Sequence, residues 1–593
     1  MSLPVYQQLL SKYQAISDQL RKRLQTLSTL RLSSFGIAII CIYYYSKTSE
    51  WWLLVLALAS FGTFLYLIRF YDKIKLKYEI SKALIRINQT EIGLINGERS
   101  TYEDGKEYTD SHHPFSYDLD IFGEGSLYQF LNRTTTSFGK STLSQSLLHP
   151  DTTIIKERQE AINELSHALD FRQQLQAYGT IHGSEEKKID RLERWLKAPL
   201  AFKNPSLYYF LLLFPIATIV SLVLYFITDN ELARSICGIL VVINLGISFS
   251  FARKMMADIA VSTEINKTLQ QFSEQLILIR NHNFQSPLLH QLQSRLKSGS
   301  VPASASISRL SSLFGYLDYL FNVFVSPLLN GFFLFHIHIL FALDKWKKDH
   351  RTHIMDWLRV IGEAEALSSF ANFRYNQTDT CFPEISREEN LEAVEMGHPL
   401  IRPRKRINND ISFRNQKFIV LTGSNMSGKS TFLRTLGINL VLARAGSAVS
   451  ASRFLFFPFD VWVSMRITDS LQDSESFFYA ELKRLETIIR HLSAGNKTFI
   501  LLEEILRGTN SNDKHNGTIG LIRKLVSRNA CGIIATHDLS VADLSVEYPA
   551  YINNKCFESE IINDELIFDY KIKDGVCTKL SASFLMKKLG IIE

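Results

Sequence analysis

Three short strings of residues, in a fixed order along the chain, carry most of the chemistry that can be read from it. The first is Thr422-Gly423-Ser424-Asn425-Met426-Ser427-Gly428-Lys429-Ser430-Thr431, a complete GxxxxGK[ST] loop. Phe418 to Leu421 before it reads as a buried strand, and Leu433, Leu436 and Leu440 after it read as a helix. That strand–loop–helix context is what a working phosphate loop requires. Gly423 and Gly428 let the backbone turn its amides inward, and the helix N-terminus adds partial positive charge. Lys429 is expected to reach the β- and γ-phosphates of ATP, and Ser430 to bind magnesium.

The second string is Thr498-Phe499-Ile500-Leu501-Leu502-Glu503-Glu504, an apolar strand ending in two carboxylates. Side chains alternate at a strand end, so one carboxylate can face the metal while the other meets water. By position Glu503 is the magnesium-side group and Glu504 the base that orients the attacking water. Aspartate is the usual residue at the first position. The extra methylene of Glu503 either shifts the metal or is absorbed by the backbone, and slow hydrolysis is one expected consequence. The third string, Cys531 to Asp538, is another buried strand ending in His537, placed to sense the γ-phosphate. Between the first two lies the serine-rich stretch Asp469 to Leu482. Ser474 and Ser476 are its candidate anion binders at a helix start, Ser476 being favoured; an ordinary helix cap is the plainer alternative.

These strings need elements to hold them, and the chain has ample length. Its 593 residues are several times the usual domain size. A formal charge of +7, from 66 basic and 59 acidic residues, permits contact with nucleic acid or anionic lipid and demands neither. Six cysteines without ligand spacing argue against a zinc site or a disulfide scaffold. The polar first 30 residues suit an amphipathic helix rather than a cleavable signal.

Two pairs of apolar runs stand out: Ser34 to Tyr45 with Trp51 to Phe70, and Leu207 to Thr228 with Ile236 to Phe251. Each pair reads as a transmembrane hairpin, burial in a large soluble core being the alternative. Arg21, Lys22, Arg23, Arg69 and Lys73 flank the first pair, and Lys203, Arg253 and Lys254 the second. The positive-inside rule therefore puts both termini and the nucleotide module in the cytoplasm, where ATP is. A fifth apolar run, Leu320 to Leu343, contains Asn322, Asn330, His336 and His338. It is expected as a buried core helix broken near Pro327 and Gly331, since one more crossing would export the nucleotide module. Long amphipathic helices over residues 152–200 and 254–310 suit a lever or scaffold.

The order and wording of the motifs resemble the MutS family of DNA mismatch-repair ATPases. The carriers are TGSNMSGKSTFLRTLG from Thr422, DSESFFYAEL at Asp473 to Leu482, LLEEILRGTNSND at Leu501 to Asp513, ATHDL at Ala535 to Leu539, and EMGHPL at Glu395 to Leu400. Upstream, Leu119 to Thr136 resembles the start of the family's core domain. The resemblance implies that Gly423, Asn425, Gly428, Lys429, Ser430 and Thr431 hold ATP and Mg2+, with Glu503 completing the metal site. It also implies that Ser474 and Ser476 cover a partner's nucleotide, and that Gly508, Thr509, Asn510 and Asp513 lie at the interface of a homodimer with composite ATP sites. The family's mismatch-reading and connector domains are not expected here. Phe122-Gly123-Glu124 spells a mismatch-probing pattern but falls inside the core-like segment, and is rejected as one.

The expected fold is mixed: an α-helical core and lever body with two transmembrane helical hairpins, then a C-terminal α/β P-loop ATPase domain of the MutS/ABC type. Its expected divisions are an amphipathic helix over 1–30, a first hairpin over 31–71 and a linker region over 72–112. Core and lever helices follow over 113–206, a second hairpin over 207–252, further lever and core helices over 253–394, and the ATPase over 395–593. The basic run Arg402, Arg404, Lys405 and Arg406 is expected to solvate the entrance to the ATPase domain. The expected function is that of a membrane-anchored ATPase coupled to DNA binding. A nucleotide-gated scaffold acting on a protein partner and a transporter-like ATPase stand as alternatives.

Overall fold

The computed structural model describes residues 2–181, 186–297, 302–322, 324–424, 426–466, 477–562, 565–577 and 591–592. Two helices open the chain, α1 (Ser2–Thr48) and α2 (Trp51–Asn96), joined only by Ser49 and Glu50. They run back along each other: the rings of Phe35 and Phe64 lie 5.1 Å apart, and the Arg31 guanidinium sits 4.9 Å from the Tyr71 ring. The divisions expected at residues 30 and 71 fall inside these helices. No proline occurs between Pro4 and Pro114 to break them, and α2 stops only where Gly97 adopts a left-handed φ of 90°.

The polar ends of α1 and α2 pack on the helical body. Tyr13, Leu84 and Ile87 meet Ala177 of α3 (Leu169–Thr180). Beside them lies a buried polar joint. The Glu91 carboxylate receives Arg133 Nε, Asn372 Nδ2 (3.2 Å) and Asn376 Nδ2 (2.9 Å). Tyr6 Oη donates to Asn376 Oδ1 (3.0 Å), and Arg172 Nη1 to Asn372 Oδ1 (2.7 Å).

The second apolar pair comprises α4 (Leu213–Thr228), preceded by the short helix Pro205–Leu211, and α5 (Glu231–Ser250). It feeds the 30-residue α6 (Ala252–Asn281), which packs on α7 (Ala303–Leu317). Among the described residues, four helices are long and apolar enough to cross a membrane: α1, α2, Pro205–Thr228 and α5. Their apolar surfaces are open; Leu58, Tyr66, Phe226 and Val242 are all exposed.

The fifth apolar run departs from expectation. It divides into α8 (Val325–Phe333) and α9 (Phe335–His350). Only α9 belongs to a core, through Ile337, Leu340 and Leu343; on and beside α8, Phe324, Leu328 and Phe333 are exposed. The break is at Leu334, whose φ is +49°, and not at Pro327 or Gly331. Pro327 sits in the first turn of α8, where its missing N–H is no loss, and Gly331 is a close-packing position against Val241.

From α9 the chain passes through α10 (Ile354–Asn376) into the C-terminal α/β region. A small sheet there pairs β1 (Glu384–Ile385), β5 (Arg453–Phe456), β2 (Leu391–Met396) and β3 (Asn409–Ser412) in that order. The main sheet has the order β10-β9-β4-β8-β7-β6, from β4 (Phe418–Gly423), β6 (Asp460–Ser464), β7 (Thr498–Glu503), β8 (Cys531–Thr536), β9 (Ile552–Ile562) and β10 (Glu565–Asp574). All neighbours are parallel except β9 and β10. The helices α11 (Lys429–Arg444), α12 (Phe477–Ser493) and α13 (Ser511–Ser527) complete this region.

Candidate nucleotide site

The sheet register brings the three strings together. Thr422 of β4 pairs with Thr536 of β8, and Glu503 of β7 pairs with Ala535 of β8. Gly423, Glu503, Glu504 and His537 therefore leave the sheet at one edge, the carboxyl ends of its parallel strands, where α/β folds place ligands. A cavity of about 760 Å³ opens there, within the range of roughly 300–1,000 Å³ of small-molecule sites.

The phosphate loop turns on two glycines. Gly423 (φ +155°) passes close to the Phe557 carbonyl, and Gly428 (φ +104°) stands against the Tyr570 ring and caps α11. A side chain at either would strain the backbone, and at Gly423 it would also collide with the Phe557 carbonyl. Lys429 is buried, and its ammonium donates to the carbonyls of Gly423 (2.7 Å) and Ser424 (2.8 Å). Burial pulls its pKa down to about 8, against an upward pull from Glu503.

Ser430 Oγ donates to Glu503 Oε1. The longer side chain of Glu503 thus still converges with the serine hydroxyl on one point. Two hard oxygen donors meeting beside a phosphate loop fit magnesium. Among the described residues, the buried hydroxyls of Ser424 and Ser427 have no hydrogen-bond partner, which fits a ligand rich in acceptor oxygens.

Glu504 sits one residue beyond the strand with a left-handed φ of 45°. Its Oε1 lies 2.5 Å from His537 Nε2, and its Oε2 lies 3.5 Å from Arg507 Nε. Burial and the nearby Lys429 lower the His537 pKa. Glu481 of α12 is buried and accepts the amides of Leu506 (2.8 Å) and Arg507 (3.3 Å), pinning the loop after the acidic pair. Burial raises its pKa.

Gly428, Lys429, Ser430, Thr431, Glu503, Glu504 and His537 all line the cavity, with Gly423 bonded to Lys429 at its floor. Gly508, Asn510 and Asp513 are exposed, and Thr509 half-buried, at the start of α13, outside the cavity. Asn510 caps that helix by accepting the Asp513 amide (2.9 Å). Asn425, Ser474 and Ser476 lie outside the described residues.

Other lining groups were not singled out from sequence: Ile407, Asn409, Arg434, Arg507 and Tyr570. Arg507 had a signal, lying within the string that follows the acidic pair. Tyr570 had none; a register shift between Phe568 and Ile572 turns it in, and its carbonyl accepts from Asn409 Nδ2 (3.0 Å). Of the basic run, Arg402, Arg404 and Lys405 are exposed as expected, and Arg402 Nη2 donates to Gly97 O (2.6 Å) at the end of α2. Arg406 departs from the expectation: it is buried, bonded to Ser450 Oγ (2.7 Å) and paired with Asp379.

Comparison with known proteins agrees with this geometry. MutS domain V matches residues 419–587, and MutS domain III matches residues 113–298. The chain carries a MutS-family ATPase domain. The DNA mismatch repair protein MutS of Thermotoga maritima is 30% identical over 250 residues, covering 41% of this chain and 31% of that protein. MutS of Chlorobium phaeovibrioides is 30% identical over 224 residues, 36% of this chain and 25% of its own length. Human MutS protein homolog 4 is 26% identical over 248 residues, 41% and 25%. The chain thus spans less than a third of the length of these relatives. The domain V match takes in every strand of the main sheet but β4's first residue, and with it all the cavity's reactive groups.

Proposed function

We propose that this chain is a membrane-anchored ATPase that works as a homodimer with composite ATP sites and couples the nucleotide cycle to DNA. The observation that carries the reading is the convergence of Lys429, Ser430, Glu503, Glu504 and His537 on one cavity at the strand ends. Gly423 to Thr431 grip the phosphates, with Lys429 neutralising charge on the β- and γ-groups. Ser430 and Glu503 would hold magnesium, which would supply Lewis acidity when bound. Glu504 orients the attacking water and accepts its proton as the bond to the departing ADP breaks. His537, beside Glu504, senses whether a γ-phosphate is present. Ser476 of a second copy closes the site, with Gly508, Thr509, Asn510 and Asp513 at the interface.

Membrane association is supported by the four open apolar helices. Basic residues flanking both pairs support a cytoplasmic ATPase domain. A nucleotide-gated scaffold acting on a protein partner is a second reading. It is favoured by the direct passage of α5 into α6 at Phe251, which ties a membrane helix to the helical body.

The test is the mass of the detergent-solubilised full chain with and without ATP and magnesium, followed by retention of duplex and branched DNA at rising salt. A nucleotide-dependent doubling of mass with salt-sensitive DNA retention is expected. A mass that never changes contradicts the composite site. Doubling without any DNA retained at low salt favours the scaffold.

A further inference from the structure

We infer that α8 is a re-entrant membrane element: it dips into the hydrocarbon of the bilayer beside α4 and α5 and returns on the same side. The inference rests on the membrane reading of α4 and α5 and adds a third element to that unit.

The first observation is composition. Between Asp318 and Asp344 the chain has no Asp, Glu, Lys or Arg. The second is exposure. Phe324 is 84% exposed, Leu328 60% and Phe333 49%, a run of large apolar side chains on and beside one short helix. In water such a patch is costly, and it marks a contact surface. The third is where α8 sits. It packs on α5 and α4. A Cβ built on Gly331 would lie 3.0 Å from Val241 Cγ1 and 3.8 Å from Leu245. Asn244 Nδ2 of α5 donates to the Gly331 carbonyl (2.7 Å) and to Thr218 Oγ1 of α4 (3.0 Å). Asn244 and Thr218 are fully buried. The exposed face of α8 is thus continuous with the lipid-facing surface of the apolar pair, which names hydrocarbon as its occupant.

Length fixes the depth. At 1.5 Å per residue, the stretch from Val241 to Phe251, just before the charged Arg253 and Lys254, measures about 15 Å. That is close to half of a hydrocarbon core of about 30 Å. Gly331 therefore reaches the level of the bilayer centre, while α8 itself spans only about 13 Å and cannot cross. The helices on either side, α7 and α9, pack against each other, so the chain enters and leaves on one side. Irregular backbone at membrane depth is tolerated only where protein shelters it. Here Asn330 does so at the turn: its Oδ1 accepts the His336 amide (3.1 Å) across the Leu334 break.

The experiment uses the unmodified full chain in liposomes containing a carbene-generating apolar photolabel dissolved in the bilayer, with labelled peptides mapped after digestion. Labelling of 324–333 comparable to that of α4 and α5, with none in the ATPase region, is the expected result. Labelled α4 and α5 beside an unlabelled 324–333 overturns the inference and leaves the membrane reading standing. No label on α1, α2, α4 or α5 overturns both. As a second measurement, a nitroxide on Leu328→Cys, in a background with the native cysteines replaced, should be relaxed by oxygen and protected from a water-soluble nickel chelate. The reverse pattern, in a variant that still binds ATP, contradicts a hydrocarbon environment.

Discussion

With its pKa drawn down to about 8 by burial, Lys429 gives nucleotide binding a pH dependence of definite sign. Its charged form is the one that neutralises phosphate, and bound phosphate raises its pKa. Affinity is therefore full below pH 8 and falls above it, by up to about tenfold per pH unit, until the pKa of the bound state is reached. Calorimetry from pH 7 to 9.5 should show this fall together with proton uptake on binding near pH 8 to 9; a flat affinity without uptake contradicts it. Glu481 makes a second prediction at this scale. Its carboxylate fixes the Leu506 and Arg507 amides, and so the strained turn at Glu504. Glu481→Ala leaves two amides without acceptors and should lower turnover by about tenfold to a hundredfold with ATP affinity little changed. Equal turnover in variant and parent rules out this positioning role. The phosphate loop, the acidic pair and His537 were legible in sequence because each is contiguous and ends a buried strand. Glu481 lay within a quoted string but its role was not legible, because it depends on the turn after the acidic pair; Tyr570 depends on a register shift that no local pattern announces.

Among the elements, the joint at the base of α1 and α2 is the most open to test. Glu91, Arg133, Arg172, Tyr6 and Asn372 come from five separate stretches of chain and satisfy one another out of water. Glu91→Ala leaves Arg133 buried and unpaired, a loss of about 3–5 kcal/mol. Thermal unfolding of the full chain in detergent should shift down accordingly, while ATP binding to the distant cavity persists. An unshifted transition would mean that the joint contributes nothing net. The apolar runs themselves were legible from composition, but the extent of α1 and α2 was not. Their polar extensions toward the body carry mixed residues whose helicity follows from the absence of any breaker and from packing on α3. The fifth run misled for a related reason. A short apolar stretch with two asparagines and two histidines reads alike for a core helix and for a membrane dip, and only the exposure of Phe324, Leu328 and Phe333 separates them.

On the scale of the whole molecule, the helical body and the ATPase domain share one apolar core, and polar contacts add to the joint. Arg402 reaches the end of α2, and Asp118 Oδ1 accepts the amides of Met465 and Arg466 (both 2.8 Å), docking the segment after α2 on the ATPase region. The proposed topology predicts that protease added to sealed right-side-out vesicles spares the ATPase domain and cleaves it once the membrane is opened. Cleavage in the sealed vesicles contradicts a cytoplasmic placement. Charge bias gives the orientation only as an expectation, whereas the docking of residues 113–122 onto the ATPase region, formed by residues more than 300 positions apart, had no local signature. The central claim is that Glu504 activates water at a phosphate gripped by Lys429, and single-turnover hydrolysis by Glu504→Gln tests it most directly. The account predicts parental ATP affinity with turnover reduced by about a hundredfold or more. Hydrolysis at the parental rate, with ATP bound as before, would contradict it.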